Sequence, residues 1–308
     1  MTKSSCNLSL SNENIPNQQL GSYLAGLIEG DGSIIVPKTI RNSKGKLLYP
    51  VVKITFVKKD APLAIKIQEK ISGGTLAYPK NSNYVDLLFQ NKDSIQKIAI
   101  LLNGNMRTPK IEALHRLIDW LNSRNQTQLI KLVALPINST SLGNNSWLAG
   151  FIEADGSFHC GFDLNDQGLA NRVRCYMTIS QKQVYNVDRL DLLKKNNSNL
   201  DFMKQIQEFL EVKTVNEIKR IKKLYVEEAY IVRTNKKASC DILINYLKTY
   251  PLFSSKHQDF LDWSKAYHIK ITKKYINKEG TYELLSIKNS MNTKRTQFNW
   301  DSLNNFYV

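Results

Sequence analysis

The sequence predicts an α+β protein made of two copies of one unit, each running helix, two strands, helix, two strands, helix. Two observations carry this reading. The residues Tyr23 to Ser33, YLAGLIEGDGS, return as WLAGFIEADGS from Trp147 to Ser157, an offset of 124 with eight of eleven positions identical. Agreement on that scale at domain spacing implies a duplicated unit, not a solenoid of short repeats. Each copy is then followed by alternating apolar residues. In the second these are Phe158, Cys160 and Phe162, then Val173, Cys175, Met177 and Ile179; in the first they are Ile34 and Val36, then Val52, Ile54 and Phe56. A period of two marks strands with one buried face, so a hairpin follows each motif.

The opening helices rest on Leu20, Leu24, Leu27 and Ile28, and on Leu148, Phe151 and Ile152, which recur at helical spacing. Asn17, and Asn145 or Ser146, stand where N-caps belong. Asp31-Gly32 and Asp155-Gly156 end the helices, and glycine there suits a left-handed terminus. Helical stretches follow the hairpins, Ala61 to Ile71 before Gly73-Gly74 and a region through Met203 to Leu210. The aromatic and β-branched runs Tyr84 to Phe89 and Tyr225 to Arg233 read as strands, and Lys110 to Asn122 and Lys256 to Ile269 as closing helices. The resulting division is a tail at 1–16, a first unit at 17–134, a linker at 135–145, a second unit at 146–272 and an extension at 273–308. An Asn/Lys-rich insert lies around Leu193 to Leu200.

Composition bounds the function. The 308 residues carry 43 Lys plus Arg against 27 Asp plus Glu, a net charge of +16, with 42% hydrophobic residues. Sizeable cores are available, which excludes a disordered basic tail. Residues 1–140 hold 18 basic against 9 acidic side chains and the remainder 25 against 18. Two basic modules side by side along one polyanion fit that spread better than a single basic arm, so nucleic acid is the expected partner. No apolar run reaches membrane-spanning length and the first twenty residues are polar, so a soluble intracellular protein with no membrane partner is expected. Cys6, Cys160, Cys175 and Cys240 form no C-x-x-C pair and read as buried free thiols. Gly45-Lys46 lacks the rest of a P-loop.

Gly26 and Gly30, like Gly150 and Ala154, lie four apart and leave a stripe almost free of side chains on each motif helix. Two such stripes can meet closely, which makes the helices the expected interface between units. Close packing then brings Asp31 and Asp155 together at the helix C-termini, where like charges and helix dipoles repel. That arrangement calls for a cation or a raised pKa. Carboxylate oxygens with open positions suit Mg²⁺ and phosphodiester hydrolysis. Glu29 and Glu153 lie two residues from the aspartates, about 200° round the helix, and are given structural roles.

LAGLIEGDG at Leu24 to Gly32 and LAGFIEADG at Leu148 to Gly156 resemble the repeated motif of the LAGLIDADG homing endonuclease and maturase family in its single-chain form. The resemblance spans about Gly21 to Ile271 and implies two αββαββα units whose antiparallel sheets form a saddle over DNA, with the motif helices paired at the centre. It also implies metal binding by Asp31 and Asp155, with the preceding Gly30 and Ala154 as further candidate ligands. Mg²⁺, or Mn²⁺, is the implied cofactor, with Ca²⁺ binding without supporting cleavage. Lys110 in RTPKIEAL and Lys256 in LFSSKHQDF match the family's lysine near the reaction centre. Gln181 matches its strand-ending glutamine, and Lys58 stands at the corresponding place in the first unit. The implied activity is a double-strand cut across the minor groove with short 3′ overhangs at a long, nearly asymmetric target. An RNA maturase acting on its own intron is the alternative. A regulator built on a degenerate copy would require damaged motifs, and both aspartates are present.

Strand parity assigns a reading face. In the first unit it holds Ser33, Ile35, Pro37, Lys53 and Thr55, with Arg41, Tyr78 and Lys80 as further candidate DNA contacts. In the second it holds Ser157, His159, Arg172, Arg174, Tyr176 and Thr178, with Arg233. The four histidines show no ligand spacing. The abundance of Asn, Lys, Ile and Tyr suits an AT-rich coding region and an organellar, mitochondrial intron fits the family, while the resemblance to its single-chain form implies a monomer with internal pseudo-two-fold symmetry.

Overall fold

The repeated motif forms the centre of the molecule. In the computed structural model, which describes residues 18–124, 131–185, 198–222 and 225–307, the two motif helices α1 (Gln18–Asp31) and α5 (Trp147–Asp155) lie against each other. A Cβ placed on Gly26 would stand 2.0 Å from the carbonyl oxygen of Trp147, and one on Gly150 only 1.9 Å from that of Tyr23. The backbones therefore touch where the sequence left no side chain. Further along, a Cβ on Gly30 would meet that of Ala154 at 2.2 Å, so the interface holds one methyl group at this level and has no room for two.

From this centre the units run outward in parallel order. The first comprises α1, β1 (Gly32–Ile35), β2 (Val51–Val57), α2 (Ala61–Ile71), β3 (Thr75–Ala77), β4 (Tyr84–Phe89), α3 (Lys92–Leu102) and α4 (Ile111–Arg124). The second comprises α5, β5 (Gly156–Leu164), β6 (Ala170–Lys182), α6 (Leu200–Phe209), β7 (Asn216–Lys222), β8 (Tyr225–Arg233), α7 (Lys237–Thr249) and α8 (Ser255–Ile271). The strands form two antiparallel sheets, ordered β1-β2-β4-β3 and β5-β6-β8-β7. Their registers match: Gly32 faces Ile54 as Gly156 faces Ile179. One face of each sheet is packed by helices, with Val52, Ile54, Val85 and Leu87 buried in the first, and Phe158, Cys175, Met177 and Val232 in the second.

Several expectations gain detail. Each unit has one more helix than the alternation revealed, since α3 and α7 precede the closing helices. The first of these is legible in hindsight, because Asn91 accepts the backbone N–H of Ser94 at 2.8 Å as an N-cap and Ile95, Ile98 and Leu102 line its buried face. The glycines after the aspartates are not left-handed. Gly156 is extended (φ −78°), and glycine is required at both places because a Cβ would lie 2.7 Å from the Ile28 Cα or 2.6 Å from the Ile152 Cγ2. Asn145 accepts the N–H of Trp147 at 3.0 Å, whereas Asn17 lies outside the described residues, as does most of the insert after β6. Cys160, Cys175 and Cys240 are buried free thiols. Among the described residues no helix is long and apolar enough to cross a membrane.

The extension forms a further helix, α9 (Lys278–Ser290), which packs on α8. Beyond it the chain returns to the centre, where Phe306 is buried edge-on against Phe253 (4.9 Å between ring centres) and Tyr23 (5.8 Å). The close backbone approach sets a clear expectation. Gly26→Ala or Gly150→Ala should destabilise the protein by about 3 kcal/mol or more, because a carbonyl cannot move aside as a side chain can. Urea denaturation of each variant checks it.

Candidate active site and nucleic-acid interface

The ends of α1 and α5 carry four acids in two environments. Glu29 and Glu153 point inward and are fully bonded. Glu29 accepts the backbone N–H groups of Arg107 (2.9 Å) and Thr108 (2.6 Å), the Thr108 hydroxyl (2.6 Å) and, from the other unit, the Trp147 indole N–H (2.6 Å). Glu153 repeats this with the N–H groups of Phe253 and Ser254, the Ser254 hydroxyl and the Tyr23 phenol. Tyr23 and Trp147 occupy the same repeat position, so the two bonds cross the pseudo-two-fold. Burial raises both carboxyl pKa values, opposed by these donors. The structural role expected for them is what the geometry gives.

Lys110 and Lys256 also sit at the helix ends. The Lys110 ammonium donates to the carbonyls of Ile28 (2.8 Å), Glu29 (2.7 Å) and Gly32 (2.8 Å). That of Lys256 donates to Ile152 (3.0 Å), Glu153 (2.5 Å) and Ala154 (2.9 Å). Each places a cation on the negative end of a helix dipole and satisfies carbonyls that the helix leaves open. With all three donors of each ammonium engaged, the lysines act here as positioning residues. The Ala154 carbonyl offered as a metal ligand is one of their acceptors. Burial lowers the Lys110 pKa to about 8 and lowers that of Lys256.

Asp31 and Asp155 face outward between the sheets. Surrounding protein strips water from the Asp31 carboxyl and raises its pKa against the pull of Lys256 and Lys110. Burial, and then the charge of Asp31, push Asp155 to about 6, opposed by both lysines and by the Gln181 amide, which donates to its Oδ2. Two mutually repelling, partly dehydrated carboxylates suit a hard divalent cation. Among the described residues no third carboxylate, His or Cys completes a protein cage. The donor set therefore fits an ion that takes its remaining oxygens from water and phosphate.

The two halves of this centre differ. The matched registers make Phe56, not Lys58, the counterpart of Gln181. Lys58 instead starts a 3-10 turn after β2 and is exposed, so it is not the strand-ending partner expected from sequence. Four residues further on, Asp60 corresponds to Tyr185. Asp60 accepts the N–H of Ser255 at the start of α8 (2.8 Å), while the Tyr185 ring lies 5.8 Å from the Lys110 ammonium before α4. Each reaches the other unit's closing helix by different chemistry. Sequence alone gave no signal for either.

The uncovered sheet faces carry most of the expected contacts. Ser33 pairs with Lys53, and Thr55 with Asp86, whose carboxylate accepts the Thr55 hydroxyl (2.6 Å) and lies 3.7 Å from Lys53. Asp86 was not anticipated, although its parity with Tyr84 and Leu88 would have placed it there. On the second sheet Ser157, Thr178 and Arg233 share one row, and His159 stacks on Tyr176 (4.5 Å), over which the Arg233 guanidinium also lies (4.6 Å). Arg174 is exposed near Asp163 (3.5 Å). A bulge at Gly161–Asp163, with Arg172 at φ +48°, breaks the alternation, so Arg172 is exposed but outside strict parity. Ile35 is exposed on the β1 edge and Pro37 follows it. Arg41, Tyr78 and Lys80 lie in the loops β1–β2 and β3–β4, where the Arg41 guanidinium bonds the Gly45 carbonyl (2.6 Å).

Comparison with known proteins agrees with this geometry. The family model described as LAGLIDADG endonuclease matches residues 24–121 and 148–267. The intron-encoded DNA endonuclease aI3 of Saccharomyces cerevisiae is 29% identical over 94% of this chain and 74% of its own length. The intron-encoded RNA maturase bI4 of the same yeast is 26% identical over 56% of this chain and 24% of its own. The LAGLIDADG homing endonuclease I-GzeII, solved in complex with its DNA target, superposes with a TM-score of 0.65 at 17% identity, covering 90% of this chain and 99% of that one.

The raised Asp155 pKa has a consequence for stability. A carboxyl that binds its proton more tightly folded than unfolded favours folding below its ordinary value of 3.8, and that contribution is lost as pH rises towards about 6. Asp155→Asn removes the loss and should stabilise the metal-free protein at pH 7.5 by about 1–3 kcal/mol. Chemical denaturation at pH 5 and 7.5 should show the gain larger at the higher pH.

Proposed function

The chain belongs to the LAGLIDADG endonuclease family, and on that premise we propose that it is a site-specific homing endonuclease hydrolysing both strands of a long, nearly asymmetric DNA target. The observation that carries the proposal is the placement of Asp31 and Asp155 at the tips of two touching helices, between two polar sheet faces. A bound divalent cation, Mg²⁺ or Mn²⁺, would neutralise charge on a scissile phosphate and make water a better nucleophile. The aspartates would hold it. The sheets seat the duplex, each half reading one side of the target with Lys53, Arg174, Arg233 and their neighbours. Glu29, Glu153, Lys110 and Lys256 fix the helix tips, so the aspartates are presented without reorganisation as phosphate arrives. Gln181 holds the Asp155 carboxylate in one orientation.

Pseudo-two-fold symmetry gives each strand its own half of the centre, which supports a staggered cut across the minor groove with short 3′ overhangs. The pairing of helices within one chain supports action as a monomer, and the intron-encoded relatives support expression from an organellar, mitochondrial intron. Similarity to a maturase favours a second reading, in which the intron RNA is also a ligand.

With Mg²⁺, the protein should make one discrete double-strand cut in a library of intron-insertion sites. Asp31→Asn and Asp155→Asn should each abolish that cut, a loss of at least about a thousandfold, while leaving binding in Ca²⁺ within a few fold. Undiminished cleavage by either variant would remove the central assignment. Binding without cutting in Mg²⁺, together with capture of the host intron RNA, would favour the maturase.

A further inference from the structure

The repeat builds two aspartate pockets, and the turns after β2 and β6 wall them alike, but the larger is walled in addition by a segment outside the repeat. A pocket of about 350 Å³ beside Asp155 is bounded by Val184 and Tyr185, from the chain after β6. A larger one of about 670 Å³ beside Asp31 and Lys256 is bounded by Asn292 and Thr293, from the extension beyond both units.

That stretch is held firmly. The Arg295 guanidinium bonds Asp259 (2.9 Å) and Asp262 (2.7 Å) on α8, almost excluded from solvent. Asp259 also accepts the Asn292 N–H (2.9 Å), and the Asn292 amide donates to the Phe158 carbonyl (3.2 Å). Asn299 exchanges two bonds with Gln258 (2.8 and 3.1 Å), and the Phe298 ring lies 5.4 Å from the Lys59 ammonium of the first unit. The segment thus spans from α8 to the end of β2 and passes along the pocket on the way. Its anchors are Arg295, Asn299 and the buried Met291 and Phe306, while the Thr293 side chain is left exposed at the pocket. Bracing α8 would explain the anchors but not a polar rim on the pocket that Asp31, Lys59 and Lys256 also line. An exposed hydroxyl in that pocket can donate to a phosphodiester oxygen.

We propose, resting on the endonuclease reading above, that the extension is a third nucleic-acid-contacting element, in which Thr293 donates to the backbone of the strand entering the Asp31 pocket and sets the cutting rate of that strand alone. Among the described residues, the chain after α4, which is the extension's counterpart in the first unit, does not line the pocket of Asp155, so the effect is one-sided.

The test uses the full-length protein and a target labelled separately on each strand, under single-turnover conditions with Mg²⁺. Thr293→Val removes the hydroxyl and should slow one strand about threefold; Thr293→Glu, which sets a like charge against phosphate, should slow the same strand about tenfold. The other strand should stay within twofold, and supercoiled plasmid should accumulate as nicked circles. Gln181→Ala should burden the opposite strand. Tyr282→Ala, exposed on α9 away from the pocket, should alter neither. Wild-type cleavage of both strands is measured first, so that failure of the endonuclease reading is seen separately. With that in hand, Thr293 variants that slow both strands equally, or neither, would overturn the proposal.

Discussion

The approach of α1 to α5 at Gly26 and Gly150 is the contact on which the rest of the structure depends. Two helices can come this near only where neither carries a side chain, because the carbonyls of Trp147 and Tyr23 fill the space a Cβ would need. Closeness then fixes everything at the helix tips. It brings Asp31 and Asp155 together, lets Tyr23 and Trp147 reach across to the opposite glutamates, and sets the two sheets on either side of one axis. Packing and chemistry are one constraint here.

The same closeness creates an electrostatic problem that the sequence solves locally. Four acids and two helix C-termini converge in one region of low polarity, where unpaired charge is costly. Glu29 and Glu153 are neutralised in effect by four donors each, three from the loop ahead of α4 or α8 and one from the opposite motif helix. Lys110 and Lys256 cap the carbonyls. What stays least compensated is the aspartate pair, raised in pKa and turned outward despite the two lysines and Gln181. Stability is sacrificed at a place where a bound cation would restore it.

Much of this was legible in the sequence because it repeats. The motif named its own axis, the period-two runs named the sheets, and the position of Lys110 and Lys256 before or within the closing helices was correct. Glu29 and Glu153 were separated from the aspartates by helical angle alone. What escaped was whatever the repeat does not contain. The counterpart of Gln181 is Phe56, a fact of register that counting from the motif missed by two residues. The register shift at Gly161–Asp163, with Arg172 in a left-handed conformation, is invisible to period-two counting, although Arg172 is exposed as that count expects. Asp60 and Tyr185 reach across to the other unit, and no local pattern encodes a partner on another element. The stretch after α9 carries no periodic signal, because its 3-10 turns and single anchors are fixed by tertiary contacts.

One small asymmetry at the interface bears on how such a chain can change. Gly30 faces Ala154, and the axis accommodates a single methyl group there. An ancestor assembled from two identical units needs glycine, or an equally small solution, on both sides. With alanine in one copy, two second units could not meet in this packing, since their methyls would stand about as close as the 2.2 Å found for a Cβ on Gly30. Each half therefore fits its sibling and not a copy of itself, and in such a pairing the two sheet faces need not be alike.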